Sequence, residues 1–383
     1  MIAENRRQMA QFLEERMTRT YSDLSERQEL ERDTSLVKTY LVEVHAPGDA
    51  PDGAVDVLER AIADQSLRER FPGRLHRSDD ASLLTLDGVF DQKEALSLYV
   101  DSTDPRYWLV HTMGSSNAAD WILDRLMKAG TRMDQAWIPA GLLESLSNSG
   151  SLRGLGLDFD RRPFEEDEEE VPDHLQFLKM QLWGNRARRV LEVLRQEDAF
   201  PDATTLAKIK VKYWPDEGDR ELFTLDDIKF DGKTTARGTS FDGHVILLGM
   251  LKEAYAQQIQ RLEAHGVGFD ADEGRLEGRP LTLIMGRPIR DLDRFCATVF
   301  SASAPFRLWG SPIRISNDFI RVRAVDLHVG DTIDFEVSRS FIRIYVPIGT
   351  CGNTVMRFFT NLQHHFDAQV QLRDGRDEDV LEF

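Results

Sequence analysis

Phe341-Ile342-Arg343-Ile344-Tyr345-Val346-Pro347-Ile348-Gly349-Thr350-Cys351-Gly352-Asn353 is the stretch that decides the architecture. Residues 341–346 place Ile342, Ile344 and Val346 at every second position, the period of a strand with one buried face. Gly followed by Thr suits a tight turn into a helix N-terminus, and 353–366 reads as the helix. The same junction stands at Gly114-Ser115-Ser116 and at Gly238-Thr239-Ser240. Behind each Gly the apolar residues agree in position: Leu123, Leu247 and Phe358 nine residues on, Met127, Leu251 and Leu362 thirteen residues on. A strand-to-helix junction that recurs in this way predicts an internally repeated α+β protein.

Working outward from the third junction, 279–285 reads as a strand, 291–301 as a helix, and 306–316, 319–328, 332–338 and 341–346 as four strands. Before the first junction, 36–46 reads as a strand. A helix with Val55, Leu58, Ile62 and Leu67 on one side follows, then strands at 82–90, 95–101 and 107–113, a shorter one at 74–77, and a helix at 117–129. Residues 132–160 end this unit without a clear assignment. The middle of the chain is shorter: 174–198 reads as a helix, 206–214, 221–230 and 233–237 as strands, and 242–265 as a long helix. The predicted organisation is an amphipathic helix within 1–34, a first α+β unit at 35–160, an acidic linker at 161–173, a middle unit at 174–278, a third unit at 279–372 and a mobile acidic tail at 373–383.

Strand, helix, four antiparallel strands and helix is the element order in each half of the TATA-box-binding protein fold, and the units at 35–160 and 279–372 resemble it in that order. The resemblance implies curved sheets with helices on the convex side and an open concave face. It does not carry the family's DNA-binding activity with it, because the intercalating phenylalanine pairs of that family have no counterparts here and a fold does not dictate a function.

Composition bounds the function classes. The 383 residues carry 48 Lys plus Arg against 66 Asp plus Glu, a net charge of −18, so a ligand of like charge needs a local patch of the opposite sign. Two cysteines, Cys296 and Cys351, argue against a disulfide framework and for a reducing, cytoplasmic setting. The N-terminus has no signal-peptide core, and no stretch approaches the ~20 apolar residues of a membrane span. Walker, Gly-x-Ser-x-Gly and His-Glu-x-x-His motifs are absent, so no cofactor, no metal and no catalytic residue is expected.

The patch of opposite sign lies in the third unit. Residues 280–370 contain ten Arg, no Lys and eight acids, a local charge of +2. Alternation assigns Ile313, Ile315, Ile320, Val322, Ile333, Phe335, Val337, Ile342, Ile344 and Val346 to the core. It assigns Arg314, Arg321, Arg323, Arg343, Phe341 and Tyr345 to the other face, together with Asp334, Glu336 and Arg339. Guanidinium groups among aromatic rings suit nucleic acid, a nucleotide or an acidic protein surface. The same alternation equally allows cross-strand ion pairs of these Arg with Asp334 and Glu336.

Two other functions remain open from the sequence. One is a structural subunit that self-associates, or meets a protein partner, through residues 1–34, whose Met9, Phe12, Leu13, Met17, Tyr21 and Leu24 form a narrow stripe. The other is a metal-dependent hydrolase using Asp158, Asp160, Asp226 and Asp227. Lys208, Lys210 and Lys212 alternate beside Trp214 as a second basic strip and read as guards of an edge strand. The three Gly-Ser/Thr junctions read as helix caps before they read as anion sites.

Overall fold

Every residue of Val37–Val44 is buried, the pattern of a strand covered on both faces. A computed structural model describes residues 2–27, 36–45, 53–129, 132–164, 175–184, 186–197, 200–216, 218–270 and 274–383, and these form an α+β protein of helices and antiparallel strands. The acidic run 165–170 lies outside the described residues. Contacts divide the chain into two units, one of Met1–Ala136, Leu146–Arg153 and Ile209–Glu253, the other of Trp137–Ser145, Gly154–Lys208 and Ala254–Phe383. The expected middle unit, 174–278, is therefore shared between the two. Its strand Lys233–Gly238 pairs antiparallel with Val37–Val44 of the first unit.

In chain order the elements begin with α1 (Arg6–Arg27), β1 (Val37–Val44), α2 (Ala54–Ile62), α3 (Gln65–Arg70), β2 (Arg74–Arg77), β3 (Leu83–Phe90), β4 (Glu94–Asp101), β5 (Tyr107–Thr112), α4 (Ser116–Lys128) and β6 (Met133–Gln135). They continue with α5 (Ala140–Leu146), β7 (Ser151–Asp160), β8 (Phe177–Trp183), α6 (Ala187–Gln196), β9 (Leu206–Tyr213), β10 (Thr224–Lys229), β11 (Lys233–Gly238) and α7 (Phe241–Glu263). The last group is β12 (Gly268–Asp270), β13 (Arg275–Glu277), β14 (Leu281–Ile284), α8 (Leu292–Val299), β15 (Leu308–Ser316), β16 (Phe319–Asp326), β17 (Thr332–Ser338), β18 (Phe341–Tyr345), α9 (Gly352–His365) and β19 (Gln371–Arg373).

In the first unit the strands lie in the order β2-β3-β4-β5-β1-β11-β10, with β6 also beside β1. One sheet face packs Tyr40, Val42, Leu86 and Leu98 against α2, α3 and α4, where Ile122 and Leu123 are buried. The other face is covered by α1: Met9, Leu13 and Met17 pack on Val37, Leu83, Tyr99 and Ala236 with Phe241 of α7. Met9, Leu13 and Met17 of the α1 stripe are thus buried within its own unit, and Arg6 anchors the helix start to Asp80 and Asp101.

The second unit has the order β15-β16-β17-β18-β14-β19. Ile320, Val322, Ile333, Phe335, Val337, Ile342 and Ile344 are buried as expected, and Phe335 meets Phe358 of α9 at 5.4 Å and Phe300 at 5.0 Å between ring centroids. The helix expected over 174–198 is a strand followed by a helix: β8 pairs antiparallel with β7, and Gly184, at φ +102°, makes the turn into α6. The tail expected to be mobile is docked. Val380 and Leu381 are buried, Gln258 of α7 donates to the Glu382 carbonyl at 2.7 Å, and a Cβ on Gly141 would strike the Phe383 ring at 2.4 Å.

Helix α9 is held by a buried ion pair. Arg357 and Asp326 are both inaccessible to solvent and in direct contact; Thr354 donates to the same carboxylate at 2.6 Å, and Arg357 Nε donates to the Phe306 carbonyl at 2.8 Å. Burial pushes the Asp326 carboxyl up, but the fields of Arg357 and His328 and the Thr354 hydrogen bond outweigh it and hold the group below its ordinary value. Removing one partner strands a charge in the core, so Arg357→Leu should cost about 3–5 kcal/mol in urea unfolding. The double variant Asp326→Leu, Arg357→Leu should be more stable than Arg357→Leu alone, and the opposite ranking would show that the pair is not what holds α9.

Candidate functional site

Antiparallel partners share a sheet face, so the register of the second unit settles which side chains stand together. Arg321 lies opposite Glu336, which lies opposite Arg343; Arg323 lies opposite Asp334, which lies opposite Tyr345. Phe341 shares this face, with the Arg343 guanidinium 4.8 Å from its ring centroid. Of the expected residues, the structure brings Arg321, Arg323, Arg343, Phe341 and Tyr345 together. Arg314 is not among them: it lies opposite Ile320, on the helix-covered side, and pairs with Asp293 of α8 at 2.5 Å. Ile313 takes the place opposite Arg321, and Ile313 and Ile315, expected in the core, are each 59% exposed. Trp309, two pleats along, is 58% exposed and adds a ring that alternation on β15 did not place there.

Glu336 organises this face. It accepts from Arg321 at 3.0 Å and from the Tyr345 hydroxyl at 3.0 Å, and lies 3.7 Å from Arg343. The cross-strand pairing foreseen as an alternative to ligand contact is therefore present around Glu336. Burial, followed by the hydrogen bond to Glu336, raises the Tyr345 hydroxyl above its ordinary value, so it stays a neutral donor. Arg323 is exposed and has no ion-pair partner among the described residues.

The three strand-to-helix junctions are anion sites already filled by the chain. Ser115 caps α4 by accepting from the Ala118 N–H at 3.2 Å, and its own N–H donates to Glu94 at 2.6 Å. At α7, Ser240 accepts from the Gly243 N–H at 3.0 Å, and the Phe241 N–H donates to Glu14 of α1 at 3.0 Å. At α9, the Gly352 N–H donates to Glu263 at 2.9 Å. A carboxylate beside each helix start satisfies orphan donors and complements the positive end of the helix dipole. The six apolar residues that agree behind the junction glycines, Leu123, Leu247, Phe358, Met127, Leu251 and Leu362, are all buried.

The first unit contains a polar chain that sequence spacing does not reveal. Thr39 Oγ1 lies 2.8 Å from His111 Nδ1 and 2.7 Å from His244 Nε2; His244 Nδ1 lies 2.6 Å from Asp226, which also accepts from Thr224. Asp226 thus stands at the Nδ1 side of His244, and the Thr39 hydroxyl bridges His244 Nε2 and His111 Nδ1. Acid, imidazole and hydroxyl occur here in the order of a nucleophilic triad. Thr39, His244 and Asp226 are nevertheless fully buried, and the chain ties β1, β5, β10 and α7 together beneath α1. The other acids considered for metal are engaged too: Asp227 with Lys210 at 3.4 Å and Arg237 at 3.2 Å, Asp158 with Lys179 at 2.9 Å, Asp160 with Arg162 at 2.6 Å.

This arrangement can be set beside known proteins. A family model described as MJECL33-like protein matches residues 1–381. The chain belongs to the MJECL33-like family. It is similar to the protein of Methanocaldococcus jannaschii named "Uncharacterized protein MJECL33", at 27% identity over 408 residues that cover 96% of this chain and 93% of that one. In this MJECL33-like chain no helix among the described residues is long and apolar enough to cross a membrane.

Burial, reinforced by the field of His244, depresses His111 to about 3, and burial depresses His364 of the second unit to about 4. Both rings are held neutral in the folded state and protonate readily once unfolded, so stability is complete above the unfolded value of about 6.5. It falls as pH drops from there toward 3, by up to about 1.4 kcal/mol per pH unit for each ring. Urea midpoints between pH 7 and 5 should show this, and His111→Gln should lower stability at pH 7 by about 1–3 kcal/mol while flattening the slope. An unaltered slope in that variant would remove His111 as a source of acid sensitivity.

Proposed function

We propose that this protein is a non-enzymatic binding module whose second unit takes up single-stranded nucleic acid on the open sheet face of β15–β18. The observation that carries the proposal is the exposure on one face of Arg321, Arg323, Arg343 and Trp309 beside the half-buried rings of Phe341 and Tyr345, in a chain whose net charge is −18. Bases stack on rings and on guanidinium planes, while phosphates accept from the guanidinium forks. Glu336 supports this use by holding Arg321, Arg343 and Tyr345 in place before a ligand arrives, which lowers the ordering cost of binding. Arg323, without a partner of its own, is the first phosphate contact.

We further propose that the two units are tandem copies of a TATA-box-binding-protein-like repeat. Strand, helix, four-strand meander and helix recur as β1 to α4 and β14 to α9, and in each the last meander strand returns to pair with the first strand, β5 with β1 and β18 with β14. The buried cysteines Cys296 and Cys351, neither of them in a disulfide, support a cytoplasmic location.

A labelled single-stranded oligonucleotide should bind with an affinity that falls as salt rises, by roughly 0.7 in log K per log salt for each phosphate contact. Arg321→Glu with Arg323→Glu should weaken binding at least tenfold and reduce the slope by about 1.4. Absence of binding at low salt, or binding indifferent to these reversals, would overturn the assignment.

A further inference from the structure

A second cationic cluster lies in the first unit, where the chain is otherwise rich in acids. Lys212 on β9 places Nζ 3.7 Å from the ring centroid of Phe223 and 5.1 Å from that of Trp214. The Arg220 guanidinium lies 4.6 Å from the Trp214 centroid, and Tyr21 of α1 meets Phe223 edge-on at 5.2 Å. Arg153 lies on β7, the strand next to β9 in the sheet, and its charge reaches Lys212. Burial first, then the fields of Arg153 and Arg220, hold the Lys212 amine below its ordinary value.

None of these three cations has a carboxylate partner among the described residues. Two described acids of the loop are engaged with backbone: Asp216 accepts from the Gly218 N–H at 2.8 Å and Asp219 from the Glu221 N–H at 2.9 Å. The Trp214 indole N–H is buried and unpartnered. Like charges drawn together without a counter-charge, beside an unused donor, are an incomplete arrangement that an anion completes. Lys212 is thus more than an edge-strand guard: its neighbour Lys210 is spent on Asp227, whereas Lys212 is not.

We propose that Arg153, Lys212 and Arg220, with Trp214, form a nucleotide site, in which the three cations bind the phosphate and the planar base extends the Arg220–Trp214 stack. The phosphate supplies the missing charge. A ring on the outer face of Arg220 prolongs a stack already built, which inorganic phosphate cannot use. The site is independent of the sheet face of the second unit and uses none of its residues.

Titrating the full chain with ADP, AMP, adenosine and inorganic phosphate at low salt, by calorimetry and tryptophan fluorescence, tests the assignment. ADP and AMP should bind and change the fluorescence, more tightly than either adenosine or phosphate alone. Lys212→Met and Arg220→Ala should each weaken ADP binding by roughly tenfold or more, and Trp214→Phe should abolish the fluorescence change while calorimetry still detects phosphate. Lys179→Ala, and Arg321→Glu with Arg323→Glu, should leave ADP binding as it is, which keeps this outcome separate from the oligonucleotide experiment. Inorganic phosphate binding as tightly as AMP would overturn the nucleotide assignment. Absence of binding, or Lys212→Met and Arg220→Ala variants that bind like the parent at unchanged melting temperature, would overturn the site altogether.

Discussion

A helix that starts directly from a strand leaves its first backbone N–H groups without partners, and in this protein those groups are answered by the chain's own carboxylates. Glu94, Glu14 and Glu263 each accept from a backbone N–H at a junction, at the starts of α4, α7 and α9. The consequence reaches beyond capping. Glu14 sits on α1, so the donor at Phe241 ties down the N-terminal helix, which in turn covers the sheet face of the first unit opposite α2 and α4. At each of these helix starts a carboxylate of the chain already occupies the place nearest the positive end of the helix dipole.

Beneath α1, His111, Thr39, His244, Asp226 and Thr224 form one continuous chain of polar contacts. In a medium of low polarity each member polarises the next, and losing one leaves its neighbour stranded. The second unit solves the same problem with one ion pair, Asp326 and Arg357, in place of a chain. Both devices join a strand to the helix that follows a junction, β10 to α7 in one case and β16 to α9 in the other.

Much of this was legible in the sequence wherever one face of an element is wet and the other dry. On β16, β17 and β18 the expected core residues are buried and the expected polar ones exposed or partly so. On β15 the alternation fails because residues 311–316 are exposed on both sides, so apolar side chains there say nothing about the pleat, and the register shifts between Arg314 and Ser316. Arg314 is misplaced for that reason. The helical spacing of Leu178, Leu182 and Leu191 predicts a helix where β8 runs, since pairing with β7 overrides a local preference that the sequence displays alone. The polar chain of the first unit joins residues 39, 111, 226 and 244, whose separation leaves no spacing to read.

The two units are alike in strand order and unlike in what they leave uncovered. In the first, the sheet face away from α2 and α4 is roofed by Met9, Leu13 and Met17 of α1. In the second, the face away from α9 carries exposed Arg321, Arg323 and Arg343. Of the two sheets, one thereby offers an Arg-bearing face and the other an apolar face closed by its own N-terminal helix, so this type of surface has a valency of one.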